Sequence, residues 1–282
     1  MASRIVQPLR SAARNGEAAA APKTLLARYR AAAQDLARAW GQPRRIDRSE
    51  NLRVFESLGT LAVLAAIVGI GVTYDISVMR WAAQLTSETV EFFARITHFG
   101  ASGYVFALTA LVAPGAIAAR HTGLGGRRDA ALSAVAARGF FLFTVAAVSG
   151  LTSTVLKHLF GRARPKFFDI VGPLHFDGFT FDASFASFPS GHAVTAVAMA
   201  VGVGFVAPRW RWPLLVLAGL VMASRVIIGA HYLSDVLAGA FLGYASAALV
   251  RRAFAARSIC FRAIPRATRL RGRGLVWRAL GR

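Results

Sequence analysis

Three short polar segments lie at the edges of apolar stretches in this chain. Together they hold three cations, two histidines and one carboxylate: Lys157, Arg164, Arg225, His192, His231 and Asp235. Cations can hold the oxygens of a phosphate, one imidazole can attack phosphorus, and a second imidazole can protonate the leaving group. Charged side chains are costly near membrane segments, so their presence there is itself an indication of function. The residue types therefore predict chemistry on a phosphate group.

The first segment reads Lys157-x6-Arg164-Pro165 and follows the third apolar stretch. A guanidinium can donate to two phosphate oxygens at once, whereas an ammonium acts as a point charge. Lysine and arginine at helix ends also commonly extend toward the membrane surface. Taken alone, Lys157 is better explained in that way. Arg162 and Lys166 are interpreted as such anchors or as contributors to the local field.

The second segment, Pro189-Ser190-Gly191-His192, immediately precedes the apolar run 193–206. Proline suits the first turn of a helix. The free N–H groups of Ser190, Gly191 and His192 are then expected to point outward from a helix N-terminus, which is a natural site for an oxyanion. Gly191 also allows a ligand to approach closely. The alternative interpretation is an ordinary helix cap with a histidine at the membrane interface.

The third segment is Ser224-Arg225-x5-His231-x3-Asp235. Because His231 and Asp235 are four residues apart, a helix places them on the same face. A carboxylate that bonds one ring nitrogen fixes the tautomer and leaves the other nitrogen free to attack. Arg225 is close enough in sequence to share the phosphate. The alternative is a structural His–Asp pair at the start of a helix.

The composition indicates a membrane protein that crosses the bilayer several times. Hydrophobic residues make up 55% of the chain and the mean hydropathy is +0.48, while charged residues make up 17% against about 25% in soluble domains. The sequence predicts an all-α fold with six transmembrane helices and an interfacial amphipathic helix over 76–98. The predicted spans are 54–74, 103–119, 139–156, 190–207, 213–230 and 234–250.

The net charge of +21 comes mostly from two basic tails, residues 1–53 and 251–282, that flank a predicted membrane domain over 54–250. By the positive-inside rule, both termini are expected in the cytoplasm. The tails are expected to contact anionic lipid headgroups, and nucleic acid is not an expected partner. Residues 25–40 fit either a helix on the membrane surface or a basic tail. The same rule, applied to the loops between the predicted spans, places all three polar segments on the opposite, non-cytoplasmic face. Because the rule uses no information about the polar segments, this agreement is independent support for one site.

The order and spacing of the three segments resemble the signature of the type 2 phosphatidic acid phosphatase (PAP2) superfamily, over about residues 54–250. The resemblance implies a phosphatase that needs no metal and no other cofactor. It implies that His231 attacks phosphorus to form a phosphohistidine, that Asp235 orients and charges His231, and that His192 protonates the departing oxygen. By the same resemblance, the phosphate oxygens are held by Lys157, Arg164, Ser190, Gly191 and Arg225.

The functional hypothesis is therefore a lipid phosphate phosphatase at the periplasmic face of a bacterial inner membrane. Candidate substrates are undecaprenyl diphosphate, phosphatidylglycerol phosphate, phosphatidic acid and a lipid A phosphate. Two alternatives are a phosphotransferase with the same nucleophile and a non-catalytic membrane scaffold of the same fold. The sequence does not indicate an oligomeric state.

Overall fold

The polypeptide is built almost entirely from α-helices, as its long apolar runs predict. The computed structural model describes residues 24–41, 50–119, 126–264 and 267–270. The helices are α1 (Leu25–Gly41), α2 (Glu50–Ala82), α3 (Ser87–Ile96), α4 (Ser102–Ala118), α5 (Gly126–Phe160), α6 (Phe168–Val171), α7 (Gly191–Val206), α8 (Arg211–Ile227) and α9 (Leu233–Ala256). Two short antiparallel strands, β1 (Phe261–Ile264) and β2 (Ala267–Leu270), follow α9. The α-helical class is confirmed, and the two-stranded ribbon is a small addition to it.

Five helical segments within the described residues are long and apolar enough to cross a membrane. They are Glu56–Ala82, Ser87–Ala118, Arg128–Phe160, Pro208–Ile227 and Leu233–Ala256. The apolar helix α7 has 16 residues, fewer than the ~20 that a spanning helix normally needs. The multi-pass character is confirmed, whereas the count of six spans stays a prediction.

The predicted amphipathic helix over 76–98 is wrong in its first half. Residues 76–82 continue the first long helix, α2, and the separate amphipathic helix is α3. No glycine or proline interrupts the chain between 74 and 82, so the helix has no local reason to end there. An acidic residue such as Asp75 is unexpected in a membrane-spanning helix. Here its side chain is fully buried and accepts a hydrogen bond from the amide of Ser234. The side chain of Thr86 then caps α3 by accepting from the amide of Thr89.

Two glycines of α9 determine how closely it packs against α7. A Cβ added at Gly239 would lie 2.6 Å from the carbonyl oxygen of Ser190, and one added at Gly243 would lie 2.5 Å from that of Val194. Small residues spaced four apart let membrane helices bring their backbones together. The N-terminus of α7, which carries the second polar segment, is therefore held against the first turns of α9, which carry Asp235.

The other end of the bundle is covered by α1. Arg28 donates to the carbonyl of Ala118 at the end of α4 (3.2 Å), and Trp40 packs edge-on against Phe254 of α9 with ring centroids 5.8 Å apart. Residues 25–40 form a helix, α1, and the place of this helix on a membrane surface stays a prediction. More than half of the N-terminal tail and the end of the C-terminal tail, residues 271–282, lie outside the described residues. The lipid contacts of the tails and the division into 1–53, 54–250 and 251–282 stay predictions.

Candidate active site

The structure brings the three polar segments together at one end of the helix bundle. The amide of Ser190 donates to the backbone carbonyl of Asp235 (3.0 Å), which joins the second segment to the third. The guanidinium of Arg164 donates through Nη1 to the carbonyl of Ala230 (3.4 Å), which joins the first segment to the third. The side chains that the sequence predicts for a single site are therefore neighbours: Lys157, Arg164, Ser190, Gly191, His192, Arg225, His231 and Asp235.

His231 lies in the loop between α8 and α9, almost fully buried beside Asp235. Its Nδ1 is 3.7 Å from Asp235 Oδ2 and 3.4 Å from the hydroxyl oxygen of Ser187. Ser187 in turn donates to Asp235 Oδ2 (2.6 Å). At 3.7 Å the histidine and the carboxylate are too far apart for a direct hydrogen bond. The hydroxyl of Ser187 contacts both groups and therefore links them.

The environment of His231 favours its neutral form. Burial lowers the pKa of the imidazole, and although Asp235 opposes this, the nearby cations Lys157 and Arg225 add to it, so the pKa falls to about 4. A neutral imidazole has a free lone pair on one nitrogen, which is the form required of a nucleophile.

Asp235 is fixed by partners that the sequence did not indicate. Its Oδ1 accepts from Arg162 Nη1 (2.6 Å), and its Oδ2 accepts from the amide of Tyr232 (3.0 Å) as well as from Ser187. The other terminal nitrogen of Arg162, Nη2, donates to Asp75 Oδ2 in α2 (2.9 Å). The guanidinium therefore lies between two buried carboxylates, with one carboxylate on each terminal nitrogen.

The interpretation of Arg162 as a membrane anchor is wrong, whereas the alternative, that it contributes to the local field, agrees with its ion pairs to Asp75 and Asp235. Its side chain is 3% exposed, and its guanidinium packs over the ring of Tyr232 at 4.4 Å. The chain turns inward because Gly161 takes a left-handed φ of +59° and is packed against the backbone of Asp177, where a Cβ would lie 1.6 Å from the carbonyl oxygen. A glycine immediately before an arginine in a polar loop was the sequence signal for this turn.

Arg225 is held at the site by a residue of the 3-10 turn Thr97–Gly100. Its Nη1 donates to Thr97 Oγ1 (2.8 Å), and the side chain is almost fully buried. Its Nε and the hydroxyl of Ser190 are buried without a hydrogen-bond partner among the described residues. Because buried polar atoms are normally paired, these two groups are available to a ligand.

The amide groups at the start of α7 are less available than the sequence predicts. The amide of Ser190 is used in the bond to Asp235, so the expectation of three free N–H groups is wrong. The amides of Gly191 and His192 lie in the first turn, where the helix supplies no acceptor. Ser190 can therefore contribute its hydroxyl and Gly191 its amide.

Lys157 is half-buried at the end of α5 and faces the start of α7. Its Nζ donates to the carbonyl of Ala186 (2.7 Å), and a Cβ added at Gly191 would lie 3.6 Å from its Cε. Glycine at position 191 thus leaves room next to the lysine. His192 is within electrostatic reach of Lys157, Arg225 and His231.

Arg164 forms one wall of a cavity of about 320 Å³ beside the site. Its Nε donates to the carbonyl of Ala183 (2.9 Å), so two loop carbonyls fix its orientation. The cavity is lined by Arg164, Lys166, Ala183, Ser184, Gly229 and Ala230. Lys166, interpreted from the sequence as an anchor or a field contributor, places its charge at the same opening.

The site combines features of a phosphate-binding centre with a nucleophile. The three cations surround a neutral, buried histidine that is paired with an ionisable carboxylate through Ser187. Within the described ranges, no three His, Cys, Asp or Glu side chains are grouped so that they could hold a metal ion. The expectation of a reaction without a metal stays a prediction.

The fold and the site together define a class of protein: a bundle of membrane helices with a His–Asp pair in a cationic pocket. Comparison with known proteins agrees with this class. Residues 138–259 match the family model of the PAP2 superfamily. The resemblance seen in the signature residues is confirmed by this match, which covers residues 138–259 of the chain.

Curated relatives carry phosphatase names. The chain is 38% identical to a lipid A 1-phosphatase of Rhizobium etli over 127 residues, 45% of this chain and 55% of the relative. It is 36% identical to an undecaprenyl-diphosphatase of Sulfolobus acidocaldarius over 102 residues, 36% of this chain and 46% of the relative. The matches thus span about half the length of these relatives. A crystal structure of a PAP2 type phosphatidylglycerolphosphate phosphatase from Bacillus subtilis is similar with a TM-score of 0.48 and 26% identity, over 68% of this chain and 91% of that chain.

Proposed function

We propose that the protein is a lipid phosphate phosphatase that acts through a phosphohistidine on His231. The observation that carries this proposal is the state of the pocket around that residue. A neutral, buried imidazole lies beside a carboxylate, and two buried polar groups next to it, Arg225 Nε and Ser190 Oγ, have no partner among the described residues. A phosphate would satisfy both groups and present its phosphorus to the imidazole.

The proposed reaction has two steps. In the first, the free ring nitrogen of His231 attacks phosphorus, the bond from phosphorus to the lipid oxygen breaks, and His192 gives its proton to that oxygen. In the second, His192 takes a proton from water, the resulting hydroxide attacks phosphorus, and the bond to His231 breaks. The products are the dephosphorylated lipid and inorganic phosphate. Lys157, Arg164 and Arg225 hold the charge on the phosphate oxygens throughout, which is the main demand of phosphoryl transfer.

The membrane orientation follows from the distribution of charge. Basic residues dominate the tails, and the positive-inside rule places them in the cytoplasm, where anionic headgroups attract them. The site lies at the end of the bundle opposite α1, so in a bacterial inner membrane it would open to the periplasm. Relatives named for lipid A and for undecaprenyl diphosphate support a substrate with a phosphomonoester or a diphosphate on a membrane lipid.

A panel assay tests the proposal directly. The purified full-length chain is given a lipid A 1-phosphate, undecaprenyl diphosphate, phosphatidylglycerol phosphate and phosphatidic acid, and both free phosphate and phosphorylated lipids are measured. We expect release of free phosphate from at least one of them. Transfer of phosphate to a second lipid would instead support a phosphotransferase, and no turnover of any of the four would contradict the proposal.

The pH dependence of the reaction should reflect the low pKa of His231. Because that pKa is lowered to about 4, the imidazole is already neutral at pH 6, and the nucleophile is lost as the pH falls through about 4. An exposed histidine would lose its neutral, nucleophilic form near pH ~6.5. We therefore expect kcat/KM, corrected for the separately measured ionisation of the substrate, not to decline from pH 7 down to pH 5, whereas protonation of the proposed acid His192 over this range would raise it. A decline centred near pH 6.5 that remains after this correction would contradict a buried neutral nucleophile.

Chelation of divalent metal should leave the activity unchanged. The role that a metal ion has in many phosphatases, neutralising the phosphate oxygens, is assigned here to Lys157, Arg164 and Arg225. After dialysis against EDTA, the rate of phosphate release is expected to stay within twofold of the untreated rate. A loss that added Mg²⁺ or Zn²⁺ restores would show that a metal takes part.

A further inference from the structure

The first long helix contributes a carboxylate to the site from outside the region that matches the family model. Asp75 lies in α2, whereas the match begins at residue 138. Its side chain is fully buried. It accepts from Arg162 Nη2 (2.9 Å), from the amide of Ser234 (2.8 Å) and from the hydroxyl of Ser234 (2.5 Å). A buried acid in a membrane helix is costly unless it is paired, and here every partner adjoins Asp235 in space or in sequence.

The charges in this cluster do not cancel. Asp75 and Asp235 each carry a carboxylate, and Arg162, between them, carries a single positive charge. In their ionised forms the three groups therefore leave one net negative charge beside His231. The imidazole gains positive charge when it bonds to phosphorus, and a preorganised negative charge nearby stabilises that state.

We propose that Asp75 is a positioning residue that acts on the nucleophile through Arg162 and Asp235. It holds one end of the guanidinium so that the other end can bond Asp235. It also shares the positive charge of Arg162, so that Asp235 is not fully neutralised and can stabilise the phosphorylated histidine. The proposal rests on His231 being the nucleophile, as set out above.

A purely structural role is the competing explanation, because the same bonds also tie α2 to the start of α9. The structural role needs only the hydrogen bonds of Asp75, whereas the positioning role also needs its negative charge. If Asp75 only fastens two helices, an amide of the same size should keep most of the catalytic rate per folded molecule. If its charge matters, the amide should fold and still react slowly.

The test is Asp75→Asn in the full-length protein. We expect kcat to fall about 10- to 100-fold with KM within twofold, the pattern of an interaction made mainly in the transition state. Single-turnover phosphorylation of His231 should slow by the same factor when normalised to the number of competent sites. Ser234→Ala, which removes a hydroxyl but no charge, should cost at most about threefold, and Asp169→Asn, an exposed carboxylate, should change nothing.

Binding of orthovanadate, which mimics the five-coordinate phosphorus of the transition state, gives a readout that does not depend on finding the lipid. Isothermal titration should show about tenfold weaker vanadate binding to Asp75→Asn and similar binding of inorganic phosphate. If the wild type binds vanadate but turns over none of the lipids, the proposed phosphatase function is contradicted. The comparison of vanadate affinity between the wild type and Asp75→Asn would still test the role of Asp75. Equal vanadate affinity and an equal normalised rate in the variant, or no vanadate binding by the wild type, would overturn the proposal.

Discussion

Replacing His231 with alanine is expected to abolish phosphate release, with a fall in kcat of about 10⁴-fold or more. The reason is that the variant has no nitrogen that could form the covalent intermediate, while the cations that bind the phosphate remain. Substrate binding should therefore change much less than turnover. The measurement is phosphate release from the best lipid of the panel, together with acid-labile phosphate retained on the protein after rapid quenching.

The control for this substitution is His175→Ala. His175 is exposed on a different loop, between α6 and α7, and its loss should leave kcat within twofold. The wild type should give a phosphorylated peptide that contains His231, and the alanine variant should give none. Turnover by His231→Ala at a tenth of the wild-type rate or more, or a phosphorylated peptide elsewhere, would show that another group attacks phosphorus.

The residues of the candidate site were predictable because their spacing carries the information. His231 and Asp235 are four residues apart, a spacing that pairs them although His231 lies in the loop just before α9 and not on the helix. A polar segment at the start of an apolar helix indicates an anion site. The charge distribution then placed all three segments on one face without using the chemistry. The structure brings these residues together, and their catalytic roles stay proposals.

The residues that support the site were much harder to predict. Asp75 accepts a hydrogen bond from the amide of Ser234, which is 159 residues away in the sequence. No local pattern connects the two residues. Ser187 is one small polar residue in a phenylalanine-rich loop. A lone acid inside the first apolar helix was a usable signal, because an unpaired carboxylate there would be too costly. The identity of its partner depends on tertiary packing, which sequence periodicity does not contain.

The errors in the predicted elements have a similar origin. Residues 76–82 have an amphipathic pattern, which indicates a surface helix when the pattern is considered alone. The acid that precedes this stretch, Asp75, is nevertheless buried inside the protein, because Arg162 reaches it from a distant loop. Likewise, the amide of Ser190 looks free in a helix N-terminus, and becomes occupied only because glycines of α9 bring its backbone close. In both cases a long-range contact overrides a correct local rule.

Replacing Arg162 with leucine is expected to have the largest effect on stability. The substitution leaves Asp75 and Asp235 buried, close together and without their shared cation. Removing one partner of a buried ion pair typically costs about 3–5 kcal/mol. We therefore expect the variant to unfold at a markedly lower temperature in detergent and to retain little phosphatase activity, because Asp235 loses the bond that fixes it.

Two comparisons test whether the loss of stability in Arg162→Leu comes from its buried ion pairs and not simply from removing an arginine. Arg38 pairs with Asp35 at 2.7 Å on the exposed surface of α1, and Arg38→Leu should cost less than about 1 kcal/mol. In a background that carries Asp75→Asn, Arg162→Leu should cost less than it does in the wild type, because fewer buried charges are then left unpaired. Equal costs in the two backgrounds would mean that Arg162 and Asp75 are not energetically coupled, and the cluster would then be an arrangement of neighbours without a shared electrostatic role.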